Sequence, residues 1–135
     1  MFDVLDMGAS GLVAQRTRMD VIASNILHVN TTRNAQGQSI PYRRKFATFA
    51  PGLPGVDGKA GVRVDQIKDD PSPFVKKFMG KDHPDADKDG NVLFPNVDLS
   101  IEYVNALEAS RAYEANVTMM ETSKAMIAAS LRLIA

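Results

Sequence analysis

The chain has 135 residues, with 16 basic and 16 acidic side chains in balance and no cysteine. A chain of this length buries one core and not two. Its near-neutral surface gives no field toward nucleic acid or an anionic membrane and tends to associate, which makes a protein the default partner, and the lack of cysteine excludes disulfides, thiolate zinc sites and cysteine nucleophiles.

The first unit, residues 1–30, reads as a helix. Leu5, Leu12, Met19 and Ile26 stand seven residues apart, and Ala9, Ile22, Ala23 and Val29 fill in the 3-and-4 alternation, whereas Asp6, Arg16, Arg18 and Asp20 fall off that stripe. The spacing predicts a helix over about 3–29. Gly8 and Gly11 weaken its first turns by about 1 kcal/mol each relative to alanine, yet let another backbone approach closely. Asn30, Thr31 and Thr32 compete for backbone hydrogen bonds and end it. With Asp3 and Asp6 and no basic cluster near the amino terminus, and no apolar run approaching 18 residues, neither a Sec-type signal nor a membrane span is expected.

The second unit, residues 31–95, changes character, because all seven prolines and seven of the nine glycines lie in it. Short strands and long loops are expected: Tyr42 to Phe49 offers spaced aromatics, Val62-Arg63-Val64 alternates, and Val92 to Phe94 is a short apolar run. The stretches Gly52 to Gly55 and Asp69 to Pro73 read as turn or extended segments. Arg43, Arg44 and Lys45, the only basic run, read as a solvated strand face.

One constellation in this unit resembles a metal loop. Asp85, Asp87, Asp89 and Gly90 match the opening of an EF-hand, but the twelfth position is Asn96 instead of a bidentate Glu, Pro95 precedes it, and His83-Pro84 leaves no entering helix. An Asp-rich turn is the reading that fits. His28 and His83 have no partner at ligand or triad spacing. No enzyme, metal, cofactor or small-molecule substrate is expected.

The third unit, residues 96–135, starts at Asn96 or Asp98 as a cap and runs to Ala135 without a Gly or Pro. Tyr103, Ala106, Ser110, Tyr113, Val117, Met120, Lys124, Ile127, Leu131 and Ile134 alternate by three and four over four heptads, a pattern of coiled-coil grade. Glu108 with Arg111, and Glu121 with Lys124, form i,i+3 pairs on the wet face. The expected fold is mainly α with a small irregular β insert: the long terminal helices pack as a coiled-coil hairpin around a middle segment of short strands and loops. Leu107, Ala115, Met119, Met126, Ala128, Ala129 and Leu133 make a second apolar face that one partner helix cannot cover.

Several of these residues carry a resemblance. Ala23-Ser24-Asn25-Ile26 followed by Asn30-Thr31, and preceded by Ala14-Gln15 and Arg18, resembles the amino-terminal element of bacterial flagellar rod and hook proteins. Pro41 to Lys45, His83 to Asp87, Gly90 to Val92, Pro95-Asn96-Val97 and Ala109 to Val117 extend the likeness over nearly the whole chain and are similar to the proximal-rod members of that family. Leu27-His28-Val29 departs from the small residues usual there.

The resemblance implies a non-catalytic axial subunit of the flagellar basal body, exported through the flagellar type III apparatus and assembled helically with itself and other rod proteins, with the membrane-ring adaptor at the rod base as a further partner. On that reading Leu5, Leu12, Met19, Ile22 and Ile26 pack against Tyr113, Val117, Met120, Ile127 and Leu131, while Met119, Met126 and Leu133 meet neighbouring subunits. A cytoplasmic helical scaffold, with its hairpin complete and its middle loop bound to one partner, is the alternative.

Overall fold

Periodicity and capping place two helices at the ends of the chain, and the computed structural model, which describes residues 2–52 and 61–135, contains both. Helix α1 spans Phe2–Leu27 and α2 spans Leu99–Ile134, 26 and 36 residues long. At ~1.5 Å per residue these are rods of roughly 39 and 54 Å. Asp98 is the N-cap of α2, its carboxylate accepting the amides of Ser100 at 2.9 Å and Ile101 at 3.4 Å. Helix α1 stops two residues short of Val29, where His28 to Asn30 form a turn.

Among the described residues, four strands lie between the helices: β1 (Lys45–Pro51), β2 (Val62–Asp69), β3 (Val75–Phe78) and β4 (Asn91–Phe94). They form two separate antiparallel pairs. In the first, Lys45 faces Asp69 and Pro51 faces Val62, with a bulge between Thr48 and Phe49; in the second, Val75 faces Phe94 and Phe78 faces Asn91. The β3 strand is absent from the sequence reading because Val75-Lys76-Lys77-Phe78 has little apolar pattern, and its pairing with the Val92 run makes it a strand. Gly90 closes that pair at φ 82°, with the Phe78 ring so near that a Cβ there would stand 2.9 Å from it. Of the expected turn at Gly52 to Gly55, everything after Gly52 lies outside the described residues. The turn after Asp69 is present as irregular backbone between β2 and β3.

The helices touch in reverse order along their length. A Cβ at Gly8 would meet Met120 Cγ at 2.6 Å and Met119 Cε at 2.9 Å; one at Gly11 would meet Asn116; Ser110 Oγ lies 3.6 Å from Met19 Sδ, and Arg18 lies 3.3 Å from Glu108. Glu108 therefore pairs across the helices with Arg18 and not along its own helix with Arg111. Gly8 seats Met119 and Met120 of α2 directly on the backbone of α1, and Gly11 does the same for Asn116. On the other side of α1, Ser10 Oγ accepts the amide of Val62, which ties β2 to the helix at 3.1 Å.

The buried apolar side chains among the described residues are few: Ala14, Val21, Ile22, Val92, Val97 and Ala109. The accessible surface is 9162 Å². A self-covering chain of this mass would expose about 6,900 Å². The difference is on the order of what two or three standard protein contacts take from one partner at ~800 Å² each.

Candidate functional site

Two features of the helical body bear on assembly: the line of contact between α1 and α2, and a buried polar clasp where both helices meet the middle segment. In the contact line, Ile22 is buried and Leu5, Leu12, Met19 and Ile26 of α1 are half-buried, as are Tyr113, Val117, Met120 and Ile127 of α2. Leu131 is 60% exposed because α2 outruns α1, and Tyr103 is 58% exposed. The Tyr103 result corrects the expected phase of the stripe. A strict seven-residue repeat drifts by ~20° per heptad on a straight helix, so a stripe facing inward at Ile127 has rotated to the flank by Tyr103. The inward positions at that end are Glu102 and Ala109, both fully buried.

Of the three residues expected to meet neighbours, Met126 and Leu133 are exposed, at 65% and 88%. Met119 is half-buried, with its terminal methyl against Gly8. Val4, Ser123, Met126, Ile127 and Ser130 line a shallow apolar groove of about 190 Å³ where α1 begins.

The clasp is built on Asn25 of α1 and Glu102 of α2, neither of which reaches solvent. Asn25 Oδ1 accepts the amide of Lys45 and the Tyr42 hydroxyl, both at 3.0 Å, while Asn25 Nδ2 donates to the Lys45 carbonyl at 2.7 Å and to Glu102 Oε2 at 3.3 Å. Only a side-chain amide has the donor and acceptor for this set. Arg44 Nε donates to Glu102 Oε1, and Arg44 Nη1 donates to Asp70 Oδ2 at 3.1 Å. Asn96 Oδ1 accepts the Arg44 amide at 2.8 Å, and its Nδ2 donates to the carbonyls of Asp70 and Ser72. Arg43 donates to the same two carbonyls and lies over the Phe74 ring at 4.2 Å.

The basic run is therefore not a solvated strand face. Arg43 and Arg44 point into the joint, and Lys45 alone is open, 3.6 Å from Asp69. Burial opposes the charge on Arg44, but the hydrogen bonds and charges of Glu102 and Asp70 outweigh it and hold the guanidinium above its ordinary value.

The motif residues divide. Ser24 and Asn25 face Tyr42 and Asn96 lies in the clasp; Pro95 and Val97 are buried beside it; the Thr31 carbonyl accepts the Tyr42 amide at 3.0 Å; Ala23 and Asn30 are exposed. His28 stacks on Tyr42 with ring centroids 4.7 Å apart. Glu102, Arg44 and Asp70 complete the joint and were not anticipated. The signal for Glu102 was its place seven residues before Ala109, on the phase that faces α1.

The Asp-rich loop is a turn. Asp85 accepts from Thr32 at 2.9 Å and pairs with Arg33 at 2.8 Å, and Asp87 accepts the amides of Asp89 and Asn91. Among the described residues of the middle segment, three carboxylates sit below the ordinary value: Asp70 through the Ser72 hydroxyl, Asp85 through the Thr32 hydroxyl and Asp87 through the Asn91 amide. Groups depressed in the folded state contribute stability above the unfolded carboxylate value of about 4, and that stability is lost as pH falls through their folded values. Acidification from pH 6 to 3 is thus expected to loosen the middle segment first. Protection of the Ser72, Asp89 and Asn91 amides, taken relative to the intrinsic exchange rate at each pH, should fall while helical circular dichroism persists, and simultaneous loss of both signals would refute this order.

This architecture, two long terminal helices joined at a polar clasp with too little core to cover them, is that of an assembly subunit. The family described as "Flagella basal body rod protein" matches residues 5–36, and "Flagellar basal body rod FlgEFG protein C-terminal" matches residues 88–133. These matches place the chain among flagellar rod proteins. It is 39% identical to the flagellar basal-body rod protein FlgC of Borreliella burgdorferi, over 99% of this chain and 97% of that protein. The FlgC proteins of Bacillus subtilis and Salmonella typhimurium are 39% and 34% identical, each over 98% of this chain and 97% of theirs. The chain belongs to the FlgC family of flagellar basal-body rod proteins. It is a structural subunit of the basal-body rod, not an enzyme, and assembles with other rod components. No helix among the described residues is long and apolar enough to cross a membrane.

Proposed function

We propose that this chain is a proximal-rod subunit whose α1 and α2 pack as a coiled-coil hairpin and whose uncovered apolar positions, Met126 and Leu133 foremost, are buried by neighbouring subunits of an open helical polymer. The observation that carries this reading is the accessible surface, which exceeds that of a self-covering chain by the area of several protein contacts. Met119 has a share in both roles, because it supports Gly8 within the chain and borders the outer face. A heterologous contact that does not close on itself gives a helical rod, and a ring of such hairpins leaves an axial channel. The polymer would act as a drive shaft.

The export apparatus would deliver the chain unfolded, a state favoured by the weak glycine-bearing start of α1, and the ends of the helices far from the clasp would order as neighbours cover them. Other rod proteins and the membrane-ring adaptor at the rod base are the further partners. A scaffold that completes its own hairpin has no use for the exposed end of α2. Electron microscopy of basal bodies from a strain lacking the gene tests the reading: structures that stop at the inner-membrane ring, in non-motile cells, are expected. Normal rods and normal swimming would overturn it.

A further inference from the structure

Helix α2 carries its charge unevenly. Between positions 98 and 108 its ionisable side chains are Asp98, Glu102, Tyr103 and Glu108, with no Lys or Arg; between 122 and 135 they are Lys124 and Arg132, with no Asp or Glu. Both ends are apolar on the outside. Ile101, Tyr103, Val104 and Leu107 are 54–65% exposed at the first end, and Met126, Leu131, Leu133 and Ile134 are 60–88% exposed at the second. Leu131 and Ile134 continue the inward stripe of Ile127, but α1 does not extend far enough to cover them.

The second end thus wants an apolar helix face edged with acid, and the first end of α2 is one. Glu102 is enclosed in the clasp, which leaves Asp98 and Glu108 to face outward; the Glu108 side chain stays 66% exposed beside Arg18. Lys124 and Arg132 are ~12 Å apart along the helix and Asp98 and Glu108 ~15 Å, within a turn of each other. Aligned in parallel, both pairs meet at an offset of about 25 residues, which advances one subunit past the next by ~38 Å.

Resting on the rod reading above, we propose that the last three turns of α2 dock in parallel along the first three turns of the long C-terminal helix of an adjacent rod subunit of the same build, with Lys124 opposite the position of Asp98 and Arg132 opposite that of Glu108. The rod-protein family that matches residues 88–133 spans nearly all of this helix, so both ends belong to a segment shared with other rod proteins. Unlike ends meet, so the contact propagates and does not close.

A photo-cross-linking amino acid in place of Leu133, or of Ile134 if the first variant is not incorporated, tests this in assembled basal bodies. The expected cross-linked peptide comes from the first three turns of the long helix of a rod subunit, this chain or a relative. Lys124→Glu with Arg132→Glu should lower the cross-link yield per incorporated chain about tenfold. A peptide from the middle segment of a neighbour or from a ring protein, or an unchanged yield in the charge-reversed chain, would overturn the inference. Absence of the unsubstituted chain from basal bodies would instead overturn the rod reading beneath it.

Discussion

Replacing Glu102 by alanine is expected to lower the stability of the purified chain by about 3 kcal/mol, the largest effect of any single truncation in the clasp. Glu102 is fully enclosed, and its two oxygens take the Arg44 guanidinium and the Asn25 amide. Without it both donors lose their acceptor in a dry site. Arg44 retains Asp70 and some contact with water, being 19% exposed, which keeps the loss near the lower end of the range for broken buried pairs. Arg44→Ala should cost nearly as much, and the double variant little more than either alone. A urea-unfolding cycle measures this, and additive effects, or a loss below about 1 kcal/mol for Glu102→Ala, would show that the joint is not a coupled unit.

Met126→Glu is expected to do the opposite, leaving the chain intact and removing the rod. The side chain is 65% exposed, so stability in isolation should change by less than about 0.5 kcal/mol. In a rod the same side chain would lose ~1.5–3 kcal/mol of apolar burial and place a carboxylate in a desolvated contact. Cells carrying the variant should export the protein and fail to swim. Met119→Glu is a poorer probe because its methyl group lies against Gly8 and its failure would mix folding with assembly. Normal swimming with Met126→Glu, at normal protein levels, would remove this residue from the interface.

The helices were legible because an uninterrupted 3-and-4 pattern and an Asp cap are local signals, and both ends of α2 fall where Asp98 and the last apolar residues put them. What misled was the treatment of charge. Arg44 read as solvent-facing and Glu102 carried no signal of its own, and only their meeting, 58 positions apart in the chain, makes either one an interior residue. The Asn25 motif marked one half of that joint without revealing its partners. The phase error at Tyr103 has a geometric origin, since a heptad written on paper does not follow a helix of 3.6 residues per turn. Strand β3 was hidden because pairing, not pattern, creates it.

Because the clasp gathers Asn25, Arg44, Asp70, Asn96 and Glu102 at one end of the helix pair, a sideways load on the middle segment reaches both helices there. The opposite end of α2, where Leu133 is 88% exposed, stands free of α1 like the tip of a cantilever. On the proposed rod reading, force would enter at the root, and the tip, uncovered by α1, would be the part left to bend toward a neighbour.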